Sequence, residues 1–262
     1  TSSALLYKHF GNPEYKDAAL RFGAKLLECQ ETTFVDGIPV TGYFYNGAGS
    51  RGLIHDNHVS FNEAPMLAFN ELCRTFPDES DWMDWYSAAA IYNEYFMKRG
   101  SSISAPFDIV PNGLFRRSDY GEAHAANYGL IQYEAGTQLN DNYAIRTFPI
   151  WHDHFFHGGT QVHLSNAWAQ AVAAALVNDG EGMGVAQKQL EWVVGRNPFC
   201  QSLMYGVGYD YSPLYVYCTR NIVGALAVGV DSFHNDEPFW CATASTTTKE
   251  IWVSPVSRFL GT

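Results

Sequence analysis

Glu250 is the carboxyl whose sequence neighbours best suit proton transfer. It stands between a polar stretch, C-A-T-A-S-T-T-T-K (241–249), and an apolar one, I-W-V-S-P-V-S-R-F-L (251–260). Flanking Ile251 and Trp252 would remove it partly from water, and desolvation raises a carboxyl pKa toward what a general acid needs near neutral pH. Spacing alone describes equally a first-turn Glu that complements a helix dipole. The second candidate is W-V-V-G-R-N-P-F-C-Q-S-L-M-Y-G-V-G-Y-D-Y (192–211). A helix ending at Val194 with Gly195 as a left-handed cap, and Pro198 barring its resumption, explains the first half as a packed stop. Gly206 and Gly208 would let the backbone pass close to a ligand beside Tyr205, Tyr209 and Tyr211. The third candidate is histidine-rich. His55-Asp56-Asn57-His58 precedes Glu63, and His152-Asp153-His154 is followed by His157 and His163. Imidazoles and carboxylates can ligate first-row metals, but no H-E-x-x-H or other diagnostic spacing occurs, so no metal and no cofactor is expected. Such groups on a loop face more simply hydrogen-bond sugar hydroxyls or one another.

These groups need a frame, and apolar spacing of three and four supplies one. Tyr15, Ala18, Phe22, Leu26 and Cys29 make one stripe. Met66, Phe69, Cys73 and Phe76 make a second, and Trp82, Trp85, Ala89, Tyr92 and Phe96 a third. Leu164, Trp168, Ala171 and Ala175, then Met183, Ala186, Leu190 and Val193, complete the set. Each is an amphipathic helix signature. Helices pair across short polar turns at F-G-N-P-E (10–14), F-P-D-E-S-D (76–81) and V-N-D-G-E-G (177–182), which predicts three αα-hairpins over 2–30, 60–98 and 160–195. Between them lie long loops at 31–58, 100–158 and 197–218, and loops of that length inside a compact chain are usually functional. Hairpins below and wide loops above describe an all-α, α/α toroid with a cleft on its loop face. A helical-repeat scaffold would pair helices too, but with short loops and a fixed repeat.

Composition narrows the partners. Hydrophobic residues make up 47% and charged residues 16%, which excludes disorder. The 27 acidic residues outnumber the 16 basic ones, giving a net charge of −11, so neither nucleic acid nor an anionic membrane is an expected partner. No apolar run is long enough to span a bilayer. Five scattered cysteines without C-x-x-C fit neither a disulfide framework nor a zinc ribbon. No G-x-S-x-G and no phosphate-binding loop is present.

The run at 193–211 resembles the G-x-N-P-x-x-x-S-x-x-x-G-x-G block of glycoside hydrolase family 9. The tail K-E-I-W-V-S-P-V-S-R-F-L (249–260) resembles the end of a bacterial branch of family-9-like proteins that reads D-x-P-Y-W and then K-E-V-W-V-H-P-V-x-R-W-L. G-Y-F-Y-N (42–46) and the helices of 60–98 are similar to that branch as well. The resemblance implies an (α/α)6 toroid and inverting hydrolysis of β-glucan-type bonds. By position it places the family's general acid on Glu250. Two departures stand out. The family's D-A-G-D motif, which carries its base, is absent, and seven or eight helices are expected here against twelve in a closed toroid. The chain thus reads as the C-terminal portion of a longer catalytic domain, or a short form. Its open edge would be covered by a missing segment or an oligomer mate. The family's H-H-R triplet is also absent, with Arg220 its one remaining match, and Ser254 stands where the branch often has His.

The expectation is therefore one domain over 1–262, an incomplete toroid hydrolysing β-glycosidic bonds of a poly- or oligosaccharide in the periplasm or outside the cell. A carbohydrate-binding toroid without catalysis, or a polysaccharide lyase on the same frame, are the alternatives. Tyr209, Tyr211, Trp240, His152 and His154 should line one concave face near Glu250, with Arg220 also on substrate. Glu250 should lack a Lys or Arg partner. Asp56 and Asp153 are acidic loop residues that could serve as a local base.

Overall fold

The computed structural model describes residues 1–49, 51–53, 61–104, 106–119, 128–148, 159–215, 222–232, 235–240 and 246–262. Asp56, Asp153, His55, His58, His152, His154, His157 and Arg220 lie outside the described residues. The fold is mainly α. Helices α1 (Ser2–Phe10) and α2 (Pro13–Glu28) form the first hairpin, α3 (Glu63–Thr75) and α4 (Trp82–Ile91) the second, and α7 (Thr160–Leu176) and α8 (Gly180–Val193) the third. The local chemistry of the turns sets them. Gly11 ends α1 in the left-handed region, and Asn12 caps α2 by accepting from the Glu14 N–H at 3.0 Å, with Pro13 at the first helical position. Asp179 caps α8 in the same way through the Glu181 N–H.

The faces these helices bury differ from the stripes in part. Met66, Phe69, Cys73 and Phe76 are buried as spaced, and so are Trp85, Ala89, Tyr92 and Phe96. In α2 the packed face is Ala19 and Gly23, whose backbone lies against Leu72 and Trp85, while Phe22 is 62% exposed. Small residues there let α2 approach closely, and the large one is turned outward. Between α1, α2 and α3 this leaves a groove of about 460 Å³ whose wall includes Phe22, Leu26 and Leu72. Helix α7 is buried on nearly every side, from Thr160 to Ala174, so its apolar stripe understates its place as the central helix. Helix α4 continues through a π-helical segment, Tyr92–Lys98, into a last turn, α5 (Arg99–Ser101). The wider winding coincides with the docking of residues 30–45. The Gln30 amide donates to the Ala88 carbonyl at 2.9 Å and the Thr41 N–H to the Tyr95 carbonyl at 3.1 Å.

Residues 100–158, expected to be loop, contain regular structure. Strands β1 (Gly113–Arg116), β2 (Thr137–Gln138) and β3 (Tyr143–Arg146) form an antiparallel sheet in the order β1-β3-β2, with Leu114 opposite Ile145. Helix α6 (Tyr128–Ala135) precedes β2, and Phe115, Tyr133 and Ala144 pack together. A two-stranded ribbon, β4 (Asp231–Ser232) with β5 (Pro238–Phe239), follows later in the chain. The chain ends in α9 (Thr246–Lys249) and α10 (Val253–Gly261).

Two devices hold the site end together. One is a buried ion pair between Arg258 Nε on α10 and Glu63 Oε1 on α3, 3.2 Å apart, with side chains 2% and 8% exposed. Glu63 also accepts from the Ser165 hydroxyl of α7, and Ser165 Oγ accepts from the Asn62 N–H at 2.7 Å. The second is the apolar run Ala225–Val230, which is buried and runs between three other segments. Tyr205 N–H donates to Ala225 O and Ala227 N–H to Leu203 O; Val228 N–H donates to Glu250 O and Gly229 N–H to Thr248 O. Thr160 and Gly159 at the start of α7 donate to Val228 and Val230. Gly229 is required there, because its φ is +107° and a β-carbon would fall 1.7 Å from Thr160 Oγ1.

Two stability outcomes follow. Arg258→Met leaves Glu63 charged and buried without its cation, so urea unfolding should show a loss of about 3–5 kcal/mol, much of it recovered in Arg258→Met combined with Glu63→Gln. Gly229→Ala combines steric overlap with an unfavourable backbone angle and should cost about 2–5 kcal/mol in the same assay.

Candidate functional site

The loop after α8 begins with a tied turn. Asn197 is buried and its amide donates to the carbonyls of Trp192 and Gln201, each at 2.8 Å, while Oδ1 accepts from the Phe199 and Gln201 N–H groups. This accounts for the stop at Gly195–Pro198 as local packing. Gly206 and Gly208 hold positive φ, and what they approach is the chain itself: Val223 beside Gly206 and Ser202 beside Gly208. Ser202 N–H donates to Asp210 O at 2.8 Å and Leu203 N–H to Val193 O at 2.9 Å, which folds the loop back onto the end of α8.

Glu250 does not lie in the first turn of a helix. It sits in an extended link between α9 and α10, and Trp252 is the N-cap of α10. Successive carbonyls of the link serve opposite neighbours. Lys249 O accepts from Tyr215 N–H and Glu250 O from Val228 N–H, each at 2.8 Å, and Ile251 bridges to Ala227. Lys249 closes α9, and in the extended link beyond it Glu250 and Trp252, two residues apart, share one side. The Trp252 indole N–H accordingly donates to Glu250 Oε2 at 3.0 Å. Glu250 is partly exposed.

Lys249, the last residue of α9, is fully buried. Its ammonium donates to Ser212 Oγ and stands 3.4 Å from the centre of the Trp240 ring. The Trp240 indole N–H donates to Gln201 Oε1 at 2.6 Å, and the Gln201 amide donates to Asp210 Oδ2 at 3.1 Å. The chain thus gathers Gln201, Asp210, Ser212, Trp240 and Lys249 into one connected group behind Glu250. Within the group Trp240 is half-buried, with one ring face taken by the ammonium. Tyr211 packs edge-to-face on Tyr205 with centroids 5.0 Å apart and is 39% exposed. Tyr209, next to Asp210, projects fully into solvent. Spacing reveals neither Gln201 nor the buried Lys249. The readable signal is the continuous apolar run A-L-A-V-G-V (225–230) that anchors the link.

His163 is a core histidine. It lies on α7 with Nε2 3.2 Å from Gln189 O and its ring 5.4 Å from that of Trp192, and burial pulls its pKa down to about 4. Among the described residues, no group of three or more His, Cys, Asp or Glu is placed to hold a metal ion, and no helix is long and apolar enough to cross a membrane. Asp236, of the D-E-P-F-W segment, accepts from Arg146 Nε at 2.9 Å and from the Thr147 and Phe148 N–H groups. Burial pushes its carboxyl up from the ordinary range while the Arg146 guanidinium opposes the shift. This pair ties β3 to the β4–β5 ribbon.

No protein-family model and no curated protein matches the chain. Among solved structures, the chain is similar to one described as the crystal structure of the cellulase Cel9M of C. cellulolyticum. The TM-score is 0.37 and the identity 14%, covering 79% of this chain and 50% of that one. The chain spans about half the length of that structure. At this score the likeness carries no argument about activity.

His163 generates a pH prediction. Its folded pKa of about 4 lies below the ordinary 6.5, so the unfolded chain binds the extra proton between those values. Its contribution is complete above about pH 6.5 and is lost as pH falls toward 4, on the order of 3 kcal/mol in all. The melting temperature should fall through that window, and His163→Gln should flatten the fall.

Proposed function

We propose that this chain is part of a glycoside hydrolase that cleaves β-glycosidic bonds of a polysaccharide or oligosaccharide with inversion, and that Glu250 is its general acid. The observation that supports this reading is spatial. The two sequence blocks that resemble family 9, 193–211 and 249–260, lie far apart in the chain, yet the Trp240 indole joins them, donating to Gln201 of the first and carrying the Lys249 ammonium of the second on its ring beside Glu250. In this reading the Glu250 carboxyl gives its proton to the glycosidic oxygen as the bond from C1 to that oxygen breaks. A second carboxylate, roughly 6.5–9.5 Å away, takes a proton from the water that attacks C1 on the opposite face. Asp56 and Asp153 are the acidic loop residues of this chain offered for that role, and a segment bearing D-A-G-D is the family's own solution. The exposed Tyr209 and Tyr211, with His152, His154 and Arg220, would meet the sugar, since aromatic faces stack on its C–H groups and polar loop residues take its hydroxyls. A substrate of this size places the enzyme in the periplasm or outside the cell.

A second reading is a carbohydrate-binding toroid without catalysis, favoured by the absence of D-A-G-D from the sequence. Glu250→Gln separates the two. Reducing-end release from a β-glucan should fall about 10²–10⁴-fold, the usual contribution of a general acid. The fall should be smaller for a glycosyl fluoride, whose leaving group needs little protonation. Equal losses on both substrates would make Glu250 a binding or structural residue. Saturable binding of β-gluco-oligosaccharides with no turnover by the unchanged protein would favour the second reading.

A further inference from the structure

A cavity of about 100 Å³ lies between the N-terminus of α3, the π-helical end of α4 and the start of β1, apart from the group around Glu250. Five of its described lining residues are aromatic, and Asn62, Asn112 and Asn166 bring amides to it. Phe44 and Tyr92 have ring centroids 6.0 Å apart, Tyr92 and Phe96 5.7 Å, and Leu114 completes the apolar lining. Phe61, 67% exposed, stands at its solvent side. Two polar groups of this wall are uncommitted, the Tyr43 hydroxyl and the Asn112 amide oxygen. Asn112 is 5% exposed, and its Oδ1 is buried without a hydrogen-bond partner. The other amides are engaged: Asn62 Nδ2 donates to Asn166 Oδ1 at 2.6 Å, and Asn166 Nδ2 donates to Pro111 O at 3.0 Å. Asn112 itself is fixed by its backbone N–H, which donates to Arg146 O at 2.8 Å. An orphaned amide on an apolar wall costs free energy until something pairs with it.

We propose that this cavity binds a neutral single-ring aryl alcohol, with phenol as the simplest member, its ring among Phe44, Tyr92 and Phe96 and its hydroxyl on the Asn112 amide. Size supports one ring, since an apolar cavity of about 150 Å³ admits benzene and this one has an open side. Capacity disfavours a sugar. A pyranose carries several hydroxyls, more than the uncommitted Asn112 and Tyr43 groups can pair, and each left over costs about 1–3 kcal/mol. A phenolic hydroxyl both donates and accepts, so it pairs with the amide whichever way its oxygen and nitrogen are turned. The site is thus chemically distinct from a carbohydrate cleft and stands whether or not Glu250 is an acid catalyst.

Calorimetric titration of the unchanged protein with phenol should give saturable 1:1 binding. Toluene should bind about 10-fold more weakly, the equivalent of one hydrogen bond, and glucose should neither bind there nor compete. Asn112→Leu should bring phenol down to the toluene level, and Leu114→Phe should abolish both by filling the space. A crystal structure of the unchanged protein with phenol should place the ring beside Tyr92 and Phe96, and this arm needs no variant to fold. Absence of saturable phenol binding, equal affinity for phenol and toluene, competition by glucose, or the ring located elsewhere would each overturn the proposal.

Discussion

The buried run Ala225–Val230 must satisfy every backbone N–H and C=O without water, and the rest of the site end is arranged by how it does so. It forms no long strand of its own. It exchanges hydrogen bonds with the loop after α8, the first residues of α7 and the link between α9 and α10. Each borrowed partner fixes a different part of the molecule relative to the others. The position of Glu250 follows, because its own carbonyl is one of the acceptors. Its backbone is anchored on one edge of the buried segment while its side chain stays partly exposed.

Two adjacent charges take different surroundings where α9 gives way to the link. Lys249 is directed into the Trp240–Gln201–Asp210 group and acts as a staple, whereas Glu250 faces the side of Trp252. A buried ammonium is tolerated only with compensation, and the ring of Trp240 and the Ser212 hydroxyl are part of it.

Much of the frame was legible because it is written locally. Asn12-Pro13 and Asp179 are capping chemistry, and they mark hairpin turns where the chain makes them. The stripes of α3 and α4 name the residues that are buried, since those helices have one wet face. What escaped depends on partners distant in sequence. The face of α2 is set by close approach to Leu72 and Trp85, which favours Ala19 and Gly23 over the larger Phe22. Helix α7 is wrapped by α3, α8 and α10, and its periodicity fades because nearly all of it is inside. The small sheet at 113–146 has strands of two to four residues, too short for alternation to register. At the site, Glu250 and its aromatic neighbours were visible as residue types, but the buried Lys249 was not, since lysine in a polar stretch signals a solvated surface.

The ion pair between Glu63 and Arg258 joins residues 195 apart in the chain. During synthesis at roughly 5–20 residues per second, α3 leaves the ribosome roughly 10–40 s before its partner on α10 exists. For that interval the carboxylate at the start of α3 has no guanidinium, and burying it alone is costly. The docking of α3 on α7 therefore cannot reach its final form on the nascent chain. Helix α10 thus completes the docking of α3 late: until Arg258 is made, the carboxylate held between α3 and α7 has no cation beside it.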